Sequence, residues 1–175
     1  MGNQQVTNTT LAWLAGIWDG EGTFGIYRNV RRKDGKWSYC GRLTLSNTSI
    51  LMISEIIRIS ELLGVKVDIW KEKKSRKINH KKAIHLTLNR IDSVKKVCEL
   101  LLPYLVAKKD RAELLIRFLD SRQSYKRIVK QDPKTGHILG VIEQGYPERD
   151  IKMWEEMRVL NQVGLVVDGT SETTR

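Results

Sequence analysis

Ala12, Gly16 and Gly20 recur at four-residue spacing, so a helix that carries them shows one face of small residues to whatever approaches it. Leu11, Leu14, Ile17 and Trp18 recur at helical spacing around the rest of the same segment. That pattern predicts a first helix, capped by Thr9 or Thr10 and ended near Gly20 by the glycines at 20, 22 and 25. A face of small residues either seats on the protein's own sheet or lets a second helix backbone come close. Asp19 and Glu21 stand at the far end of this helix, where the macrodipole is negative and an acid is disfavoured by roughly 0.3–1 kcal/mol. A divalent cation relieves that cost, since carboxylates and helix-end carbonyl oxygens are hard ligands. The plain alternative for a lone glutamate is a solvated surface acid.

Beyond this helix, 24–45 reads as two strands around Asp34-Gly35, a dipeptide suited to a tight hairpin. In the second strand Tyr39, Leu43 and Leu45 fall on one face and Ser38, Cys40, Arg42 and Thr44 on the other. Thr48 or Ser49 can cap a second helix with a stripe of Leu51, Ile56, Ile59, Leu62 and Leu63, stopped by Gly64. A second hairpin follows over roughly 65–73 and 82–88, with Ile84, Leu86 and Leu88 inward and Ala83, His85 and Thr87 outward. The third strand has two registers. Val65, Val67 and Ile69 inward would turn Lys66, Asp68 and Trp70 outward, whereas the register that turns Lys71 and Lys73 outward leaves Trp70 in the core. A third helix starts at Asp92 and carries Val94, Val97, Leu101 and Leu102 to Pro103, and a fourth runs from about Val106 to Arg122 over Ala112, Leu115, Ile116 and Leu119. Between 124 and 146 the pattern is irregular, with Asp132-Pro133 and Thr135-Gly136 as turn signals, and Pro147 then opens a helix with Ile151, Trp154 and Leu160. The fold class is α+β in the order α-β-β-α-β-β-α, with extra C-terminal helices.

A hydrophobic content of 41% over 175 residues suffices for one domain. We place it at 1–163, with a core of about 9–122, a helical extension over 123–163 and a flexible tail over 164–175. Lysine and arginine number 31 against 20 acids, a net charge of +11, which makes a polyanion the first partner to expect. No apolar run approaches the ~18–20 residues that cross a bilayer, and the polar stretch 1–10 does not resemble a signal peptide, so no membrane partner is expected. Cys40 and Cys98 have neither zinc spacing nor a disulfide framework and read as reduced thiols.

Leu14-Ala15-Gly16-Ile17-Trp18-Asp19-Gly20-Glu21-Gly22 resembles the nine-residue motif of the LAGLIDADG homing endonucleases, with acids at its sixth and eighth positions. The resemblance implies that the motif helix packs on its symmetry mate through Ala12, Gly16 and Gly20, and that Asp19 caps and braces that interface. It also implies that Glu21 is the catalytic carboxylate and holds Mg²⁺, with Ca²⁺ or Mn²⁺ as substitutes and the Gly20 carbonyl as a second ligand. Asn47, at the end of the second strand, and Lys108, in the Pro103-Tyr104-Leu105 segment, match places where the family serves the water and the phosphate. An asparagine before a helix is also an ordinary cap, and Lys108 read plainly is an exposed helix-start lysine. Leu51 departs from relatives with a basic residue there. Ile138-Leu139-Gly140-Val141-Ile142-Glu143-Gln144-Gly145 mimics a second motif but sets Gly145 where the second acid belongs, with Leu139 and Gln144 in place of small residues. One motif implies a homodimer on a long, roughly palindromic target.

In this family four strands form a curved antiparallel sheet in the major groove, where all four base pairs are distinguishable. The outward face expected to touch DNA comprises Tyr27, Asn29, Arg31 and Lys33 on the first strand and Ser38, Cys40, Arg42 and Thr44 on the second, with Lys71, Lys73, His85 and Thr87 on the second hairpin. Residues 66–82 hold eight basic and two acidic side chains, suited to phosphate. The expected activity is metal-dependent double-strand cleavage with short 3′ overhangs. The expected setting is intracellular, in an organelle (chloroplast or mitochondrion) or a prokaryotic cytoplasm. A cleavage-inactive protein of the same fold that binds DNA or intron RNA, as a maturase or regulator, is the rival from another class. Gly25-Ile26-Tyr27 with Tyr39-Cys40-Gly41 also resembles the GIY-YIG nuclease motif, but 46–53 lacks the arginine that family needs.

Overall fold

The computed structural model describes residues 6–30, 37–71, 82–123, 128–142 and 148–162. Its elements are α1 (Asn8–Glu21), β1 (Gly22–Val30), β2 (Trp37–Asn47), α2 (Ile50–Leu62), β3 (Asp68–Lys71), β4 (Ile84–Leu88), α3 (Ile91–Leu101), α4 (Lys109–Gln123), β5 (Ile128–Gln131), β6 (Ile138–Ile142) and α5 (Glu148–Gln162), with one 3₁₀ turn over Leu102–Tyr104. This is the expected α+β order. The first four strands form an antiparallel sheet in the order β1-β2-β4-β3.

Capping sets the helix starts. Thr7, rather than Thr9 or Thr10, begins α1, its hydroxyl accepting from the Thr10 N–H at 3.2 Å, and Ser49 does the same for α2. Gly64 ends α2 with φ +65°, a left-handed conformation that strains any side chain with a Cβ. The helices lie on one face of the sheet. Leu14 and Trp18 of α1, Phe24 and Ile26 of β1, Leu43 and Leu45 of β2, Leu86 and Leu88 of β4, and Leu114, Leu115, Phe118 and Leu119 of α4 meet in one apolar core. Gly41 lets α4 sit directly on β2, because a Cβ there would lie 2.8 Å from both Leu115 and Leu119.

Two helical stripes differ from expectation. In α2 the buried residues are Ile53, Ile56, Ile59 and Ser60, while Leu51 is 85% and Leu62 42% exposed, because the helix rolls its Ile53–Ile56–Ile59 side onto the sheet. In α4, Leu114 and Phe118 are buried and Ile116 only partly so. The extension is not all helical. Residues 128–142 form an antiparallel hairpin, β5–β6, turned by Gly136 at φ +68° and by the Asp132 carboxylate, which accepts from the Lys134 and Thr135 N–H groups. The 138–142 segment that mimics a second motif is therefore a strand, and a strand alternates its side chains between two faces instead of stacking them on one. The hairpin turn 31–36, Pro147 and the proposed tail lie outside the described residues.

Ile56→Ala should lower unfolding stability by about 2–5 kcal/mol, whereas Leu51→Ala should change it by less than about 0.5 kcal/mol. Urea unfolding of the two variants checks which side of α2 is buried; equal losses would contradict the placement.

Candidate nucleic-acid interface and metal centre

α1 passes into β1 without a connecting turn. The Gly22 N–H still bonds the Trp18 carbonyl as the last helical donor, and a Cβ on Gly22 would lie 2.3 Å from the Trp18 ring. Only glycine fits this junction, and the junction puts Glu21 at the point where helix becomes sheet. Glu21 is exposed and has no hydrogen-bond or ion-pair partner among the described residues.

The two other polar groups at this helix end are held in a reciprocal clamp. The Asp19 carboxylate accepts from the backbone N–H groups of Val106 at 2.7 Å, Ala107 at 3.3 Å and Lys108 at 2.9 Å, tying down the turn into α4. In return Lys108 Nζ donates to the carbonyl oxygens of Gly22 at 2.6 Å, Trp18 at 3.2 Å and Gly20 at 3.4 Å. An ammonium therefore sits on the negative end of α1, the place favoured for a cation. The Asp19 charge is thus met by three backbone N–H groups. Asp19 points into its own chain, toward α4. Burial, with the nearby Arg111 guanidinium, holds the Lys108 pKa below the usual lysine range, against the opposing pull of Asp19 and Glu21.

Ala12, Gly16 and Gly20 are exposed, and no atom lies within 4 Å of a Cβ built on Gly16 or Gly20. The small-residue face is turned away from the protein's own sheet. Trp13, 40% exposed, borders it. Asn47, half-buried, accepts from the Ser49 N–H at 2.8 Å, a turn contact two residues on that leads into the Ser49 cap of α2. Among the described residues no three His, Cys, Asp or Glu side chains gather into a metal ligand set. One chain offers the free Glu21 carboxylate and the neighbouring Gly20 carbonyl, hard oxygens of the type Mg²⁺ prefers.

The sheet's other face is polar, and register assembles it across four strands. Thr23, Gly25, Tyr27 and Asn29 lie opposite Thr44, Arg42, Cys40 and Ser38; Thr44 and Ser46 lie opposite Thr87 and His85; and those two lie opposite Asp68 and Trp70. Since paired residues share a face, the expected Tyr27, Asn29, Ser38, Cys40, Arg42, Thr44, His85 and Thr87 come together. The Tyr27 ring lies over Gly25, where a Cβ would meet it at 2.7 Å, and the Arg42 guanidinium stands 5.0 Å from that ring. The glycines of the apparent GIY-YIG pattern thus serve packing.

Lys71 is paired with buried Ile84 and falls on the helix-facing side, so the register expected to turn it outward is corrected. Arg31, Lys33 and Lys73 lie outside the described residues. Trp70, expected in the core, is 54% exposed and stacks on His85 at 3.6 Å, while Ser46 Oγ bonds His85 Nδ1 at 2.6 Å. The alternation of Val65, Val67 and Ile69 carried that register; the size of the indole argued against it. Ser46 and Thr23 also join the face, as the same period-2 count extended by one step would find.

No protein-family model and no curated protein matches the sequence. Solved structures do. The homing endonuclease I-CvuI in complex with its target shares 22% identity, aligns over 95% of this chain and 87% of its own, and gives a TM-score of 0.55. The archaeal intron-encoded homing endonuclease I-Vdi141I complexed with DNA shares 13%, over 96% and 90%, with a TM-score of 0.61. The LAGLIDADG homing endonuclease I-GzeII in complex with its DNA target shares 15%, over 86% of this chain and 43% of its own, with a TM-score of 0.52.

Asp19→Ala leaves three N–H groups without their acceptor and should lower stability by about 1–3 kcal/mol, seen as an earlier urea midpoint. In the metal-free protein Lys108 should titrate below the other lysines by NMR. Glu21→Gln should lower its pKa further, because removing a nearby negative charge disfavours the ammonium; an unmoved Lys108 resonance would contradict the proximity of the two groups.

Proposed function

We propose that this chain, which has the LAGLIDADG homing-endonuclease fold, is a sequence-specific DNA endonuclease that works as a homodimer. The observation that carries the reading is Glu21, an exposed carboxylate, unpaired among the described residues, where α1 meets the polar sheet face, beside a helix face left open at Gly16 and Gly20. Two chains joined through Ala12, Gly16 and Gly20 bring two Glu21 carboxylates to a common axis, one for each strand of a roughly palindromic target. Cuts that close together across the minor groove leave short 3′ overhangs. I-CvuI has been seen on DNA with Mg present and with Ca present, and the oxygens of Glu21 and Gly20 suit Mg²⁺, with Ca²⁺ or Mn²⁺ as substitutes. Bound there, such an ion supplies Lewis-acid activation of water and charge stabilisation at the leaving 3′ oxygen.

The chain's own residues do the rest. Glu21 provides the fixed negative charge. Lys108 keeps the end of α1, and with it Glu21, from shifting, and places a positive charge beside the site. The sheet face from Thr23 to Trp70 lies in the major groove and sets the cleavage register.

Incubating the full chain with a DNA library and Mg²⁺ should select a cleaved target. Glu21→Gln should keep binding and lose cleavage by more than the roughly 10–100-fold that loss of an outer-shell partner costs. Binding without cutting under Mg²⁺, Ca²⁺ and Mn²⁺ would make the protein a regulator or maturase, and unimpaired cutting by Glu21→Gln would remove the site assignment.

A further inference from the structure

On the helix-facing side of β1, Arg28 lies opposite Tyr39. Its guanidinium carbon sits over two indole rings at once, 4.1 Å from the Trp37 centroid and 4.4 Å from Trp154 of α5. Arg158 adds a second guanidinium over Trp154 at 5.1 Å. Stacking of this kind holds an arginine in place by its π system and leaves its in-plane N–H fork available. Among the described residues neither Arg28 nor Arg158 has a carboxylate or carbonyl acceptor, and the cavity of about 490 Å³ beside them has no acid in its lining. The cavity wraps the edge of the sheet. Ile26 and Arg28 line it from the helix side, Gly25 and Tyr27 from the polar face, and β1 is an edge strand, where the Asn161 side-chain amide donates to the Phe24 carbonyl at 3.3 Å.

We propose that this cleft clamps a backbone phosphodiester of the same DNA whose bases the polar face reads, with Arg28 as the bidentate donor. The inference rests on the endonuclease reading above. A phosphate matches the planar fork of a preorganised arginine, the surplus of basic residues favours a polyanion over an acidic peptide, and continuity with the polar face puts the duplex backbone along this edge. The Arg–Trp stack thereby gives α5 a binding role outside the groove.

The test uses the DNA selected by the wild-type chain. Arg28→Gln should weaken binding about tenfold with base preference unchanged, and flatten the log–log salt dependence by about 0.9 per chain. Arg28→Lys, which keeps the charge and loses the fork, should recover only part of the affinity. In a scan of single methylphosphonates, one flanking position should weaken the wild type and leave Arg28→Gln indifferent. Should Arg28→Gln melt early, the scan on wild type and on the exposed-site variant Arg158→Gln decides. Wild-type affinity and salt slope in a folded Arg28→Gln, or a changed base preference, would overturn the clamp alone, as would an Arg28-dependent preference for single-stranded over duplex DNA. A wild-type chain that binds no DNA would remove the endonuclease reading and the clamp with it.

Discussion

The exchange between Asp19 and Lys108 holds two parts of the chain, nearly ninety residues apart in sequence, in a fixed relation. An acid on α1 satisfies three N–H groups at the entry to α4, and a lysine at that entry satisfies three carbonyls at the exit of α1. Each charge meets the partial charge of opposite sign that a helix terminus leaves exposed. Because Glu21 follows directly on Gly20, its position is only as firm as this clamp. α4 also presses on β2 over Gly41, so the same contact that fixes the carboxylate registers the helical layer on the sheet.

From that junction the polar face grows by register alone. β1 starts at Gly22 with no intervening loop, which gives the carboxylate and the sheet one frame of reference. A loop at this place would let the two drift by ångströms, and a misplacement of about 1 Å can cost ~100-fold in rate. Gly22 permits the abrupt change from helix to strand because the Trp18 ring fills the space of a Cβ, and Gly25 makes room for the Tyr27 ring on the polar face. The glycines in this stretch are thus shape requirements imposed by two aromatic rings.

Charge compensation divides the acids of the motif. Asp19 is satisfied within the chain; Glu21 is exposed and, among the described residues, unpaired. A solvated acid is unremarkable on most surfaces; this one stands at a helix terminus, next to an open small-residue face and at the head of a polar sheet. The chemistry assigned to Glu21 rests on that juxtaposition.

Much of this was legible in order along the chain. The periods of 3.6 and 2 and the Gly64 stop are local properties, and they predicted the first eight helices and strands in order, together with the buried faces of β2 and β4. Spacing put Glu21 at a helix end, and the role expected of it came from the resemblance of residues 14–22 to a known motif. Other features depend on contacts distant in sequence. Which side of α2 is buried depends on how that helix rolls on the sheet, so Leu51 and Ile53 exchanged roles. Trp70 faces outward because pairing with His85 fixes its parity, and a large apolar side chain says core when read without its partner strand. The 138–142 segment became a strand because it pairs with 128–131. The sequence by itself determined the elements from α1 to α4, their order and the acid at the end of the first helix, since these follow from local geometry. Only the tertiary structure decided that Asp19 and Lys108 hold one another and that Arg28 lies over two tryptophans, because those contacts exist only once strands and helices far apart in the chain have been brought together.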